Sequence, residues 1–152
     1  MFHQYLKCLI LPLELSALAY FRVAIGVLSL YNCLEAWYYY EEWLIDSGYL
    51  PRAELLMASN HNMLNKNVFN IYFCSGEKHI INFLLIVQTM FTISFIVGYR
   101  TKVASLFTFL FDLALKSRMY GLDYGADFLR ANCLFWCMFL PIEKHWSLDS
   151  FI

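Results

Sequence analysis

The sequence predicts an all-α protein, a polytopic transmembrane bundle of about four spanning helices. The first observation behind this prediction is composition: of 152 residues, 61% are hydrophobic and 15% are charged. Typical soluble domains have about 45–50% apolar and about 25% charged residues, so this chain cannot cover a globule with polar surface. The second observation is that several apolar runs approach the length that a helix needs to cross a hydrocarbon core.

Four apolar runs supply the predicted spans. The cleanest is Ile80–Val97, which carries no charged residue over 18 positions. Leu15–Tyr40 is longer, enough to tilt in a bilayer, and it ends in an aromatic belt that includes Trp37 and Trp43, as is typical of a membrane interface. The two remaining runs are Val103–Leu115, which continues through Asp112, and Phe128–Ile142.

The segment before the first span, "YLKCLILPLE", is interrupted by Pro12 and Glu14. We interpret it as a short interfacial helix that leads into the span. Lys7 and the "SALA" stretch imitate parts of a signal peptide. Glu14 breaks the apolar region, however, and the apolar run continues far past any cleavage site, so we reject this alternative.

Basic residues predict the orientation of the chain. Lys7, the pair Arg100 and Lys102, and Lys144 all fall on one side of a four-helix topology. The positive-inside rule then places both termini in the cytoplasm. We expect one domain, 1–152, in a multi-pass protein of a bacterial inner membrane or an endoplasmic reticulum.

Composition and motifs also exclude several classes of function. The net charge of −1 excludes an electrostatic nucleic-acid binder, because no basic surplus exists to neutralise phosphates. Five cysteines without a CxxC pair make a disulfide framework unfavourable, and the four histidines are scattered, so we predict no metal site. The chain contains no nucleophile elbow, P-loop, HExxH motif or dinucleotide fingerprint.

Charged residues within or beside the apolar runs form the candidate site. Such charges are costly in a membrane and usually face a partner or a cavity. Asp112 and Lys116 are four residues apart and can pair on one helix face, and Asp127 and Arg130 are three apart. The charges either fix how helices register or form a pocket for a charged ligand or a proton, and the physics of the sequence favours the first. The candidates are Arg22, Asp112, Lys116, Arg118, Asp127 and Arg130.

Five segments, in order along nearly the whole chain, resemble a known family. They are similar to segments of the horizontally transferred transmembrane (HTTM) domain family, which includes the membrane part of vitamin K-dependent gamma-glutamyl carboxylase. The segments are "LAYFRVAIGVL" (18–28), "GYLPR" (48–52), "GYRTKVAS" (98–105), "SRMYGLDYGAD" with "FLRANCLFW" (117–136), and "HWSLD" (145–149).

The resemblance implies a polytopic helical fold and a set of polar membrane residues. Carried over by position, that set is Arg22, Arg118, Asp127 and Arg130, with Trp146 and Asp149 marking a helix end. The chain departs from the family pattern in two places. A family "NP" is replaced by Met119 and Tyr120, and a family glycine by Ala126.

The resemblance covers the N-terminal half of the family domain. In the carboxylases, the lysine that acts as base toward vitamin K hydroquinone lies beyond the segment that resembles "HWSLD". The resemblance therefore leaves open whether this chain is an enzyme. A vitamin K-type quinol is the cofactor that the resemblance implies, and it is implied by the resemblance only.

The sequence leaves two alternative functions open. In the first, the chain is a carboxylase-like membrane enzyme, or the N-terminal half of one. Arg118 and Arg130 would then hold the carboxylate or oxyanion of a lipid-soluble quinol or an anionic substrate near the outer face, and Asp127 would orient one of these arginines. In the second, the chain is a non-enzymatic multi-pass membrane protein, whose buried charges serve helix packing or assembly with a partner.

Overall fold

The computed structural model describes residues 2–55, 71–119, 125–140 and 147, with side chains from residue 16 onward. Every regular element in this part of the chain is helical, which confirms the all-α prediction. A single helical turn at 52–55 and the 3-10 helix Ile71–Phe73 lie in the connection after the first long helix. The α-helices are α1 Phe2–Trp43, α2 Lys78–Val97, α3 Thr101–Arg118 and α4 Gly125–Cys137.

Two of these helices are long and apolar enough to cross a membrane. They are Ser16–Trp43, which is part of α1, and Lys78–Val97, which is α2. Both match predicted spans to within a few residues. The other two predicted runs also begin in helices, but α3 holds four charged residues among its 18, and α4 has 13 residues.

The predicted break before the first span is not observed. The backbone of α1 runs as one helix of 42 residues through Pro12. Proline removes one N–H from the helical ladder, but its ring fixes φ near the helical value. The leucine- and alanine-rich residues on either side favour helix, so the chain continues instead of forming a separate interfacial helix.

Successive helices pack antiparallel. Cys33 of α1 lies beside Thr92 of α2, while Trp37, one turn later in α1, contacts Thr89, which is earlier in α2. The rings of Phe91 in α2 and Phe107 in α3 stack with centroids 4.6 Å apart. The fourth helix closes the bundle against α3 and α1.

This topology gives the bundle two ends. At one end, α2 and α3 are joined by Gly98, Tyr99 and Arg100, and we call it the turn end. At the other, residues 44–55 and 71–77 connect α1 to α2, and we call these residues the cap. An apolar cluster packs near each end, around Leu85 at the cap end and around Phe95 at the turn end.

Gly98 makes the short turn possible. It has φ 80°, in the left-handed region that glycine adopts without strain. A Cβ placed on it would lie 2.5 Å from Cβ of Ser147 and 2.8 Å from Nη1 of Arg22. Both the backbone conformation and the close neighbours therefore require glycine at this position.

Candidate functional site

The six predicted candidate residues lie in separate parts of the bundle. Asp112, Asp127 and Arg130 meet at the α3–α4 interface, whereas Arg118 lies under the cap and Arg22 at the turn end. The structure thus brings three of the six together in one cluster. Lys116, Arg118 and Arg22 lie outside this cluster.

The Asp112 cluster consists of Asn32, Asp112, Asp127 and Arg130. The guanidinium of Arg130 binds Asp112 through Nε (2.9 Å to Oδ2) and Nη2 (3.4 Å to Oδ1), and Nδ2 of Asn32 donates to Oδ1 at 3.2 Å. Nη1 of Arg130 lies 3.0 Å from Oδ1 of Asp127. Side-chain exposure rises outward along this chain of contacts, from 2% at Asp112 through 11% at Arg130 to 21% at Asp127.

Within this cluster, the predicted Asp127–Arg130 pair is present, and the predicted Asp112–Lys116 pair is not. Both oxygens of Asp112 are taken by side chains from neighbouring helices. The ammonium of Lys116 lies 5.7 Å from the centre of the Phe128 ring. Arg130 faces Asp112 across the α3–α4 interface with the fork geometry that suits a carboxylate. The cation that binds Asp112 therefore comes from the neighbouring helix α4 and not from Lys116 on the same helix.

Arg118 ends α3 and is fully buried. Its Nη1 donates to the carbonyl of Leu50 at 2.9 Å and its Nη2 to the carbonyl of Leu44 at 3.2 Å. Its guanidinium carbon lies 5.5 Å from the centre of the Phe73 ring, and Nη2 lies 3.9 Å from the carboxylate of Asp46. One side chain therefore ties α3 to both halves of the cap.

The "GYLPR" segment builds the first half of the cap. Gly48 lies against the carbonyl of Glu42, where a Cβ would clash with backbone. Arg52 binds both oxygens of Asp46, at 2.9 Å from Nε and 2.6 Å from Nη2, and its Nη1 donates to the carbonyl of Phe73 at 3.2 Å. The Arg52 guanidinium holds the pKa of Asp46 below its usual value, and the carboxylate in turn raises the pKa of Arg52.

An open cavity of about 370 Å³ lies at the surface of the cap. Its lining combines apolar groups with the Arg52–Asp46 ion pair, so it presents a flat ring and a proline beside a charged rim. We call it the cap cavity. The residues that line it are Asp46, Pro51, Arg52, Ala53 and Phe73.

Arg22 is buried at the turn end, beside Gly98 and Ser147. These three residues come from the segments 18–28, 98–105 and 145–149. The segments 48–52 and 117–127 meet instead at Arg118, under the cap. The five segments that carry the family resemblance therefore converge on two buried arginines, one near each end of the bundle; Trp146 and Asp149 lie outside the described residues.

Several buried polar residues were missed by the sequence analysis. Tyr72 of the cap is fully buried and donates to Oε1 of Gln88 at 2.6 Å. The thiol of Cys33 lies 3.8 Å from the hydroxyl of Thr92. The burial of Gln88 could have been predicted, since it is a large polar side chain in the middle of the cleanest apolar run. The burial of Tyr72 could not, because its hydrogen-bond partner is 16 positions away.

The described residues offer no site for a metal ion, since no three His, Cys, Asp or Glu side chains gather among them. The four cysteines with described side chains are free thiols. Cys133 and Cys137, four residues apart on α4, pack in the apolar cluster at the turn end. Comparison of the chain with protein-family models, with curated proteins and with solved structures finds no match in any of the three.

Proposed function

We propose that this chain is a multi-pass integral membrane protein in which α1 to α4 all span the bilayer and buried charges join the helices and the cap. The observation that supports the membrane location is an inverted distribution of polarity. On α2, Phe83 and Met90 are 63% and 64% exposed, while Gln88 and Thr92 are fully buried. A soluble bundle places such residues the other way round, whereas polar residues in membrane bundles face other helices.

The same distribution supports a spanning role for α3 and α4. The charged side chains of Asp112 and Arg118 are buried, and Lys102 lies near the beginning of α3. The large exposed residues of α3 are instead Val103, Leu106, Phe107, Leu110 and Leu113. Those of α4 are Phe128, Leu129, Phe135 and Trp136, with the polar Asn132 exposed among them. With Arg100 and Lys102 at the turn end, the positive-inside rule places that end, and with it both termini, in the cytoplasm.

The role we propose for the buried charges is helix packing. In the Asp112 cluster, Arg130 uses three nitrogens on two carboxylates. Arg118 donates to two main-chain carbonyls of the cap, so these donors are already used by the chain itself and not by a ligand. A charge with such partners specifies one arrangement of helices, because any other leaves it unpaired in a medium without water.

A second candidate function follows from the family resemblance. In that candidate the chain is a carboxylase-like HTTM protein that binds a lipid-soluble quinol or an anionic small molecule. Two observations favour it: the convergence of the five segments on Arg22 and Arg118, and the cap cavity beside "GYLPR". In this candidate a quinone ring would lie against Phe73 and Pro51, which line the cavity together with Arg52. The candidate therefore assigns binding to the cap and leaves the Asp112 cluster structural.

A double-mutant cycle at the Asp112 cluster tests the packing role. We expect Arg130→Gln and Asp112→Asn each to lower the free energy of unfolding in bicelles by about 2–4 kcal/mol. The first removes the cation beside the buried Asp112 carboxylate, and the second removes the more deeply buried of the two carboxylates that Arg130 contacts. The double variant should lose less than the sum of the two, since neither member of the buried Asp112–Arg130 pair then remains charged without the other. Asn132→Ala, an exposed position on α4, is the control and should change little.

The same variants separate the two candidates. Binding of a vitamin K-type quinone can be followed by quenching of tryptophan fluorescence, in the wild type and in each variant. If Arg130→Gln stays as stable as the wild type but loses quinone binding, the packing role is wrong. If Arg52→Gln alone abolishes binding while the Asp112 cluster variants only unfold more easily, the second candidate is supported at the cap cavity.

A further inference from the structure

Glu35 lies on the outward surface of α1, in the middle of an apolar face. The residues one helical turn away from it, Tyr31, Tyr38 and Tyr39, are all exposed, and so is the adjacent Leu34. Within the described part of the chain, the carboxylate of Glu35 makes no hydrogen bond or ion pair. It is unlike the charges of the Asp112 cluster, which find their partners inside the bundle.

The depth of Glu35 in the bilayer follows from its place in the helix. Glu41 forms an exposed ion pair with Lys78, which marks the level of water at the cap end. Glu35 precedes Glu41 by six residues, so it lies about 9 Å below that level along the helix axis. This level is at the inner side of the aromatic belt that begins at Trp37, near the edge of the hydrocarbon core. An ionised carboxylate that faces this region is less stable than in water unless a partner neutralises it.

The surface around Glu35 also has the spacing of a helix–helix seam. Its exposed residues follow one another at alternating intervals of four and three, the repeat by which two helices pack side by side. Glu35 flanks this row, in the position where charged residues of packed helices select a partner. The row consists of Tyr20, Ala24, Val27, Tyr31, Leu34 and Tyr38.

We propose that this surface of α1 docks a membrane-spanning helix of another protein that carries a lysine or arginine opposite Glu35. The inference rests on the proposed membrane location. Charge complementarity decides the kind of partner, because a lysine or arginine opposite Glu35 neutralises an ionised carboxylate within the apolar surface. A second copy packed along the same row offers no cation to Glu35, because the only basic residue between positions 16 and 43 is Arg22, which is buried.

A synthetic helix with one lysine tests the proposal. The probe is a leucine- and alanine-rich spanning peptide with a lysine about 9 Å below its water-level end, and its matched control has leucine at that position. Both are added to phosphatidylcholine vesicles that contain the full chain, and association is measured by energy transfer. We expect the wild type to bind the lysine probe about three- to fifteen-fold more tightly than the leucine probe, and Glu35→Gln to lose this preference.

Three results would overturn the proposal: the wild type shows no preference for lysine, Glu35→Gln keeps the preference, or labelled copies of the chain pair with each other through Glu35. Glu54→Gln, an exposed position on the cap, is the matched control and should keep the preference. Resistance of the chain to extraction from the vesicles by alkaline carbonate is measured in parallel. If the chain is extracted, the membrane proposal itself fails, and this failure is distinct from a lack of lysine preference in an embedded chain.

Discussion

The guanidinium of Arg118 is held mainly by main-chain carbonyls. Its donors reach the carbonyls of Leu44 and Leu50, which lie 74 and 68 positions earlier in the chain. Five N–H donors in a planar fork allow arginine to satisfy two separate acceptors at once. Lysine has the same charge but a single nitrogen, so it cannot reproduce this arrangement.

Replacing Arg118 with lysine should therefore destabilise the protein despite the conserved charge. We expect Arg118→Lys to lower the free energy of unfolding in bicelles by about 2–3 kcal/mol, because at least one buried carbonyl loses its charged donor. Ser117→Ala, where the hydroxyl bonds the carbonyl of Leu113 in the same helix, is the neighbouring control. Equal stability of Arg118→Lys and the wild type would contradict the role given to Arg118.

The Arg52–Asp46 pair makes the cap sensitive to acid. Because Arg52 lowers the pKa of Asp46 in the folded state, the pair stabilises the cap above the unfolded pKa of an aspartate, about 3.9. This contribution is lost as the pH falls through the lower, folded pKa. The N–H of Tyr49 donates to the carbonyl of Glu42 at the end of α1. We expect the protection of this amide, measured relative to the intrinsic exchange rate, to fall below about pH 4. Asp46→Asn should remove this pH dependence while leaving exchange within α2 unchanged.

Residue type alone could predict that Arg118, Asp127 and Arg130 have polar partners, because charged side chains within or beside apolar runs usually face a partner or a cavity. It could not predict which partners they take. The Asp127–Arg130 pair follows from spacing within one helix, and it was predicted. The Asp112–Arg130 contact depends on how α3 and α4 face each other, and the sequence contains no direct information on that arrangement.

At the scale of elements, the helices follow the apolar runs closely, but their ends depend on local backbone chemistry. α2 ends at Val97, directly before the left-handed Gly98, and α3 begins directly after Arg100. The first helix is the exception. Pro12 and Glu14 interrupt the hydrophobic pattern of α1, yet its backbone continues as one helix. A pattern of side-chain polarity indicates which residues are buried, and it does not show where the backbone hydrogen bonds of a helix end.

The turn between α2 and α3 should be intolerant of a side chain at Gly98. We expect Gly98→Ala to cost about 2–4 kcal/mol in the free energy of unfolding, because a left-handed backbone and two close neighbours both oppose a Cβ. Gly125→Ala is the matched control. It begins α4, nothing lies within 4 Å of an added Cβ, and its stability should equal or slightly exceed that of the wild type.

At the scale of the whole molecule, the proposed arrangement of four spanning helices predicts that the cap and the turn end lie on opposite sides of the membrane. A chain whose own cysteines are replaced can carry a single new cysteine at Ser47, in the cap, or at Tyr99, in the turn; both positions are exposed. In sealed vesicles with one orientation, a membrane-impermeant thiol reagent should label one of these variants from outside and the other only after permeabilisation. Labelling of both from the same side would contradict a bundle in which α2 and α3 each cross the bilayer.

Tyr72 has a consequence for the order in which the protein assembles. Its ring belongs to the connection between α1 and α2, but it packs 6.5 Å, centre to centre, from the ring of Phe111 in α3. The cap also requires the guanidinium at the end of α3. During synthesis, α1 and α2 are therefore complete before the cap residues 44–55 and 71–77 can make these contacts, because α3 follows them in the chain. Closure of the cap thus depends on the arrival of a helix that is made after it.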